Sequence, residues 1–255
     1  MLSSRLLSLR ALSTSARRGA DIEVSEASPY VFHVRLNRPQ KRNTFTPAIW
    51  RELGKIFDDL SLNPACRSVV LSGEGKSFCA GIDLQEGLGE IMSLFSDDKL
   101  DAARKARKLQ EALKNAQNGF TALEKCYKPV IAAVHAHCVG AGLNLITAAD
   151  VRYASADAVF SLKEVDVGLA ADVGALARLQ KLTGNDSFTR ELALTARNFD
   201  AKEALEYGLI SRIFDDQKAL VDGALALAAT IAEKSPIAVQ GTKVHLNYGR
   251  DHTVD

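Results

Sequence analysis

What this chain has little of narrows its class before any motif is considered. Its 255 residues include 6 prolines, 4 cysteines and one tryptophan, and aromatic residues make up only 6%. Proline this sparse, with 17 glycines, excludes collagen-like and low-complexity sequences. Nowhere do about 18 apolar residues run together, so no membrane span is expected. Charge of one sign is missing too. The 32 Lys and Arg stand against 31 Asp and Glu, a net charge of +1, which gives no basic footprint for nucleic acid. Cys66, Cys79, Cys126 and Cys138 form no C-x-x-C pair and read as free, packed thiols. His135 and His137 lack companions with ligand spacing, so they read as packed or capping residues and no metal is expected. Three nucleotide and esterase signatures are absent as well. Gly75-Lys76-Ser77 has Val70 where a phosphate loop needs its first glycine, and neither G-x-G-x-x-G nor G-x-S-x-G occurs.

What is present describes an ordinary globular chain, 47% hydrophobic and 25% charged, long enough for one large domain. Met1–Ala20 stands apart. It carries Arg5, Arg10, Arg17 and Arg18, six Ser or Thr, leucines at roughly helical spacing and no acid. That is the composition of a mitochondrial presequence. Without it, 28 basic residues face 31 acidic ones, a net charge of −3. Thr253-Val254-Asp255 is not a peroxisomal Ser-Lys-Leu address, although a peroxisomal location is not excluded by composition.

From Asp21 onward, short apolar segments alternate with helical periodicities, which predicts an α/β fold with parallel pairing. Strands are expected at 22–24, 30–36, 68–71, 130–134, 151–154, 158–162 and 209–214. Thr46-Pro47 announces a helix that carries Ile49, Leu53, Ile56, Phe57 and Leu60 and ends before Pro64. Further helices are expected over 96–125, 143–149, from Asp172, over 187–195, 201–207 and 217–234, and from Pro236. No linker divides the chain. The expected organisation is a core over 21–195 and a helical C-terminal region over 196–255. That region reads as incomplete, because Ile237, Val239, Val244 and Leu246 have nothing after them to bury against.

Three segments could carry chemistry. Ser77–Leu84 follows a strand and ends in a turn of small residues, and His137–Asn144 is a similar turn between a strand and a helix. Small residues let backbone approach a ligand closely, and main-chain N–H groups aimed at one point bind an oxyanion. Either turn alone is equally consistent with a plain tight turn. The third segment, Lys163–Gly174, sets Glu164, Asp166 and Asp172 in otherwise apolar surroundings. Glu164 and Asp172 are acid/base candidates with raised pKa. The competing reading makes Asp172 a helix N-cap, Asp166 a surface residue and Glu164 half of an ion pair.

Asn37-Arg38-Pro39 with Asn43, Phe78-Cys79-Ala80-Gly81-Ile82-Asp83-Leu84, Pro129–Val134 leading into Gly140-Ala141-Gly142, and Asp150-Val151-Arg152 together resemble the enoyl-CoA hydratase/isomerase (crotonase) superfamily. The resemblance covers nearly all of 21–255. Lys163–Gly174 is similar to the dienoyl-CoA isomerases within it. The resemblance implies a spiral of β-β-α units with C-terminal helices and assembly into trimers that pair into hexamers. It also implies a fatty acyl-CoA substrate and no cofactor, coenzyme A being part of the substrate. On this sequence the oxyanion donors would be the amides of Ile82 and Ala141. Ala80, Gly81, Ile82, Asp83, Leu84, Ala141 and Gly142 would line the thioester and pantetheine, and Lys41 or Arg42 would lie near the nucleotide. Glu164 would take a proton from C2 of a 3,5-dienoyl-CoA and Asp172 would deliver one at C6, walled by Val165, Val167, Leu169 and Val173. Two features depart from the family pattern: the early C-terminus, and Asn144 in place of a carboxylate. Asn144 argues against hydration, and its own role stays open. The alternatives are a Δ3,Δ2-enoyl-CoA isomerase using Glu164 alone, or a non-catalytic acyl-CoA-binding or scaffold member.

Overall fold

Strands buried on both faces need no polar alternation, and β3 and β4 below are apolar or small throughout for that reason. The computed structural model describes residues 20–253, so all but Ala20 of the segment read as a presequence lies outside the described residues. The chain runs β1 (Ile22–Ser28), β2 (Val31–Leu36), α1 (Pro47–Leu62), β3 (Ser68–Gly73), α2 (Gly87–Ser96), α3 (Ala102–Lys125), β4 (Val130–Val134), β5 (His137–Val139) and α4 (Ala141–Ile146). It continues with β6 (Val151–Ser155), β7 (Val159–Ser161), α5 (Ala175–Thr183), α6 (Asp186–Thr195), β8 (Phe199–Asp200), α7 (Ala201–Glu206), β9 (Arg212–Phe214), α8 (Gln217–Ala232) and α9 (Pro236–Tyr248). Short 3-10 turns occupy Pro39–Lys41 and Glu164–Val167.

Two sheets result. The larger has the order β1-β2-β3-β4-β6-β9, parallel except for the β1–β2 hairpin, and the smaller has the order β5-β7-β8. The chain repeats one manoeuvre. A strand joins the large sheet, the next extended piece joins the small one, and a helix follows. β4, β5 and α4 do this, and β6, β7 and α5 repeat it. Earlier turns of the spiral use isolated bridges in place of the second strand, Phe45 to Ile82 and Cys79 to Cys138. The expected α/β spiral of β-β-α units is therefore present.

Helices cover the sheet on both sides. Leu220, Ala224, Ala228 and Ala232 recur every fourth residue of α8 and pack on Val31, Val70, Ile131, Ala133 and Tyr153. Thr46 caps α1 by accepting from Ile49 N–H, as its position before Pro47 implies. α9 is anchored by Lys243, which donates to the carbonyls of Leu123 and Lys128 at 3.1 Å and pairs with Asp150 at 2.7 Å. α3 lies against α1 so closely that a Cβ on Gly119 would sit 2.6 Å from the Trp50 carbonyl oxygen.

Several boundaries differ from the periodicity. The helix expected over 96–125 is α3, which starts only at Ala102, and a separate helix, α2, precedes it where none is expected. Asp97 accepts from Lys99 N–H and Asp101 caps α3 by accepting from Arg104 N–H, so these side chains hold the intervening stretch out of the helix. The helix expected from Asp172 starts at Ala175, after Gly174 at φ 140°, so Asp172 is not its cap. The helix expected over 143–149 begins earlier and ends earlier, at Ala141–Ile146. The strand expected over 209–214 shrinks to Arg212–Phe214, because the Leu209 and Ile210 amides turn back to the Ala204 carbonyl.

Gly119→Ala discriminates between two opposing effects. Helix propensity alone favours alanine by about 0.5–1 kcal/mol, whereas the clash with the Trp50 carbonyl costs about 1–3 kcal/mol. The substitution is expected to lower the urea midpoint, and an unchanged or higher midpoint would show that α1 and α3 are not in this contact.

Candidate active site

The two small-residue turns meet. The Cys79 amide donates to the His137 carbonyl at 2.9 Å, and the Val139 amide donates back to the Cys79 carbonyl at 3.0 Å. This short ladder places Gly81 beside Gly140. A Cβ on Gly140 would lie 3.8 Å from Gly81 Cα and 3.6 Å from Glu164 Oε1, and Gly140 holds a φ of 50°. Those are ordinary contact distances, so it is the left-handed backbone rather than space that disfavours a side chain there. The Gly140 amide itself is spent on the Ser161 carbonyl at 2.8 Å. The next amide, of Ala141, opens α4 and has no acceptor among the described residues. The Ile82 amide has none either, because the bridge to Phe45 uses the Gly81 carbonyl and the Asp83 amide. Two free main-chain donors thus lie on the walls of one cavity of about 1010 Å³.

Ala80, Gly81, Ile82, Asp83, Leu84 and Ala141 line that cavity, as the resemblance implies. Gly142 does not. It lies beneath the floor, where a Cβ would come within 2.8 Å of Cys79 Cβ. Asp83 faces the cavity but is occupied, accepting from the Gln85 and Glu86 amides at 3.1 Å with Arg38 3.7 Å away. Those bonds, the Glu86 amide first, hold its carboxyl below the usual range against the opposing effect of burial. Asn43 ties Arg38 N–H to the carbonyls of Glu74 and Ser77, and Arg152 is spent on the carbonyls of Leu209 and Ala149. Both are framework. Lys41 lines the mouth, whereas Arg42 does not reach it.

Glu164 and Asp172 line the same cavity. Glu164 comes from the 3-10 turn after β7, and Asp172 from the extended stretch before α5. Glu164 Oε1 accepts from Asn144 Nδ2 at 2.8 Å, while buried Oε2 has no partner. Burial is the main force raising the Glu164 carboxyl. Its own amide and the Asn144 bond pull it back, and the Asp172 charge raises it further. Burial also raises Asp172, opposed by its own amide, although that residue is exposed in the free chain. Asp166 also lines the cavity, but it is exposed and paired with Lys163 at 3.1 Å. Of the expected apolar wall, Val167, Leu169 and Val173 face the cavity. Val165 does not line it and is 42% exposed, because the 3-10 turn directs neighbouring side chains to opposite sides.

The stretch 91–122 is expected from the sequence to contribute to the acyl pocket, and Leu109, Leu113 and Ala116 of α3 do line the cavity. What sequence reasoning missed is Trp50 of α1, which completes this apolar trough, with Arg51 and Lys108 standing with Lys41 among its lining. The only signal was that Trp50 lies between Ile49 and Leu53 on the buried stripe of α1. His135 and His137 contact Gly75 O and Ser77 Oγ. Among the described residues no three His, Cys, Asp or Glu side chains group as a metal site.

The model of the family described as Enoyl-CoA hydratase/isomerase matches residues 26–254. The chain is 48% identical to the mitochondrial Δ(3,5)-Δ(2,4)-dienoyl-CoA isomerase of Mus musculus, over 98% of this chain and 79% of that protein. It is 51% identical to the mitochondrial protein of the same name from Homo sapiens, over 91% of this chain and 70% of that one. Among solved structures, a putative enoyl-CoA hydratase from Streptomyces coelicolor A3(2) superposes with a TM-score of 0.83 at 30% identity, over 95% of this chain and 84% of that chain.

Cys79 and Cys138 form the floor under the two turns and are fully buried, which pushes the Cys79 thiol up to about 12. A disulfide-exchange reagent at neutral pH should therefore titrate essentially no thiol in the folded protein and all four after unfolding in urea. Rapid native reaction of even one thiol would contradict the packed floor.

Proposed function

The chain belongs to the enoyl-CoA hydratase/isomerase family, and from that premise we propose that it is a Δ3,5-Δ2,4-dienoyl-CoA isomerase of unsaturated fatty acid β-oxidation. The observation that carries the reading is Glu164 with one oxygen held and the other free, sharing an apolar cavity with Asp172 and two unengaged amides. Glu164 Oε2 takes the proton from C2 of the 3,5-dienoyl thioester. The electron pair moves into the thioester carbonyl, whose oxygen is met by the amides of Ile82 and Ala141. Each such donor is worth roughly 10²–10³ in rate. The pair then returns through the conjugated chain, and Asp172 delivers a proton at C6, leaving the 2,4-dienoyl thioester. One proton enters and one leaves, and no electrons leave the substrate, so the chemistry calls for no redox partner.

The geometry supports a matching subsite assignment. Ala80 to Leu84 line the thioester and pantetheine, and Lys41 meets the nucleotide end. Trp50, Leu109, Leu113 and Ala116 receive the acyl chain. We read Met1–Ala20 as a mitochondrial presequence and the matrix as the site of action, on the composition of that segment and the mitochondrial relatives. A homotrimer, paired into a hexamer, fits the exposed Ile237, Val244, Leu246 and Tyr248 of α9.

The test compares 3,5-dienoyl-, 3-enoyl- and 2-enoyl-CoA. Turnover of the first, followed by the ultraviolet absorbance of the conjugated product, is expected to fall at least about 10²-fold in Asp172→Asn, within the range for loss of a general acid. Full activity of that variant would sink the two-carboxylate scheme and leave isomerisation by Glu164 alone. The pH dependence follows from the pair. Glu164 must be ionised and Asp172 protonated, so the singly protonated pair is active. kcat/KM should fall on the acid side as Glu164 gains its proton and on the alkaline side as Asp172 loses its own. A flat profile across both limbs would contradict it.

A further inference from the structure

Asn144 is completely buried, and both ends of its amide are engaged. Oδ1 accepts from the Ala175 amide at 2.7 Å, and Nδ2 donates to the Gly140 carbonyl at 2.9 Å and to Glu164 Oε1 at 2.8 Å. The two main-chain partners settle which end is which, since a peptide N–H only donates and a carbonyl only accepts. The end facing Glu164 is therefore a donor, and a side-chain amide does not lose that proton with pH. The same three bonds tie the first turn of α5 to the turn at Gly140.

We propose that Asn144 is a positioning residue that keeps Glu164 in its ionised, base-competent form, and that an amide rather than a carboxylate at this place sets the lower pH limit of the site. The inference rests on Glu164 being the base of the proposed reaction. A hydrogen bond to a carboxylate favours its charged form, whereas a second carboxylate 2.8 Å away would disfavour it. A carboxylate at 144 could accept from Ala175, but it would face the Gly140 carbonyl and Glu164 with no proton to give unless it gained one. The bond also leaves Oε2 as the single free acceptor, which aims the base.

The other charges around Glu164 do not supply this effect. Asp172 opposes it. Lys163 and Asp166 on its own segment pair with each other. α4 carries no charged residue. On α5, Arg178 is committed to Glu124 at 2.7 Å and Lys181 to Asp251. On α6, packed against the turn, Asp186 pairs with Arg190 and Glu191 with Arg197. Among the described residues the amide is thus the only side chain donating to the Glu164 carboxylate.

The pH dependence of kcat/KM for a 3,5-dienoyl-CoA, measured on the unaltered chain, Asn144→Asp and Asn144→Ala, tests this. In Asn144→Asp the acid limb is expected to move to higher pH by about one unit or more, with activity recovering as pH rises. In Asn144→Ala it should move in the same direction by less. A loss of similar size at every pH, with the limb unmoved, would show that the residue only props the fold and would overturn the proposal. Should Asn144→Asp fail to give a cooperative melt, Asn144→Ala decides by the same criterion. Should the unaltered chain show no turnover, the isomerase reading fails by itself. The Glu164 carboxyl is then titrated by ¹³C NMR, its resonance identified by loss in Glu164→Gln. The same upward displacement in the Asn144 variants is expected, and an unmoved midpoint overturns the inference.

Discussion

The near-contact of two main-chain turns, at Gly81 and Gly140, is the constraint on which the rest of the site depends. Both positions hold a positive φ that strains any side chain, and the β-bridge between Cys79 and Cys138 ties the two turns together beneath them. Because the turns touch, the Ile82 and Ala141 amides open into one cavity rather than two. Because Gly140 ends β5 and begins α4, its position also sets that of Asn144, and through Asn144 that of Glu164. A fault in the floor would therefore misplace donors and base together.

Above that floor, electrostatics and burial set two carboxyl groups apart. Glu164 is half-buried with a dedicated donor, and Asp172 is more open and has none. Both are raised chiefly by burial, and the Asp172 charge raises Glu164 further, so ionising one opposes ionising the other. The Asn144 donor on Glu164 favours the charged form of that carboxyl against its deeper burial. A substrate filling the trough would displace water from Asp172 and raise its carboxyl further.

Much of the fold was legible because its signals are local. Thr46-Pro47 carries both halves of a helix start, and the both-face-buried strands Ser68–Gly73 and Val130–Val134 read as unbroken apolar runs. The misreadings were also local. Asp97 and Asp101 delay the start of α3 beyond Ser96, and Gly174 delays the start of α5 beyond Asp172. The small-residue turns were visible as turns, but their meeting was not, since the bridge between them spans 59 residues of chain. Trp50 could be placed in a core but not at a cavity wall, because nothing near it in sequence marks the cavity.

Residue order by itself determined the α/β class, the four unpaired thiols and the candidate groups for moving protons. Those depend on composition, spacing and motif, which are properties of neighbours along the chain. Tertiary structure decided what those groups can reach. It left one oxygen of Glu164 free, spent Asp83 on two amides, put Gly142 under the floor and turned Val165 outward. Each outcome follows from competition among partners brought close only by folding, and a hydrogen-bonding group takes whichever partner the packing presents.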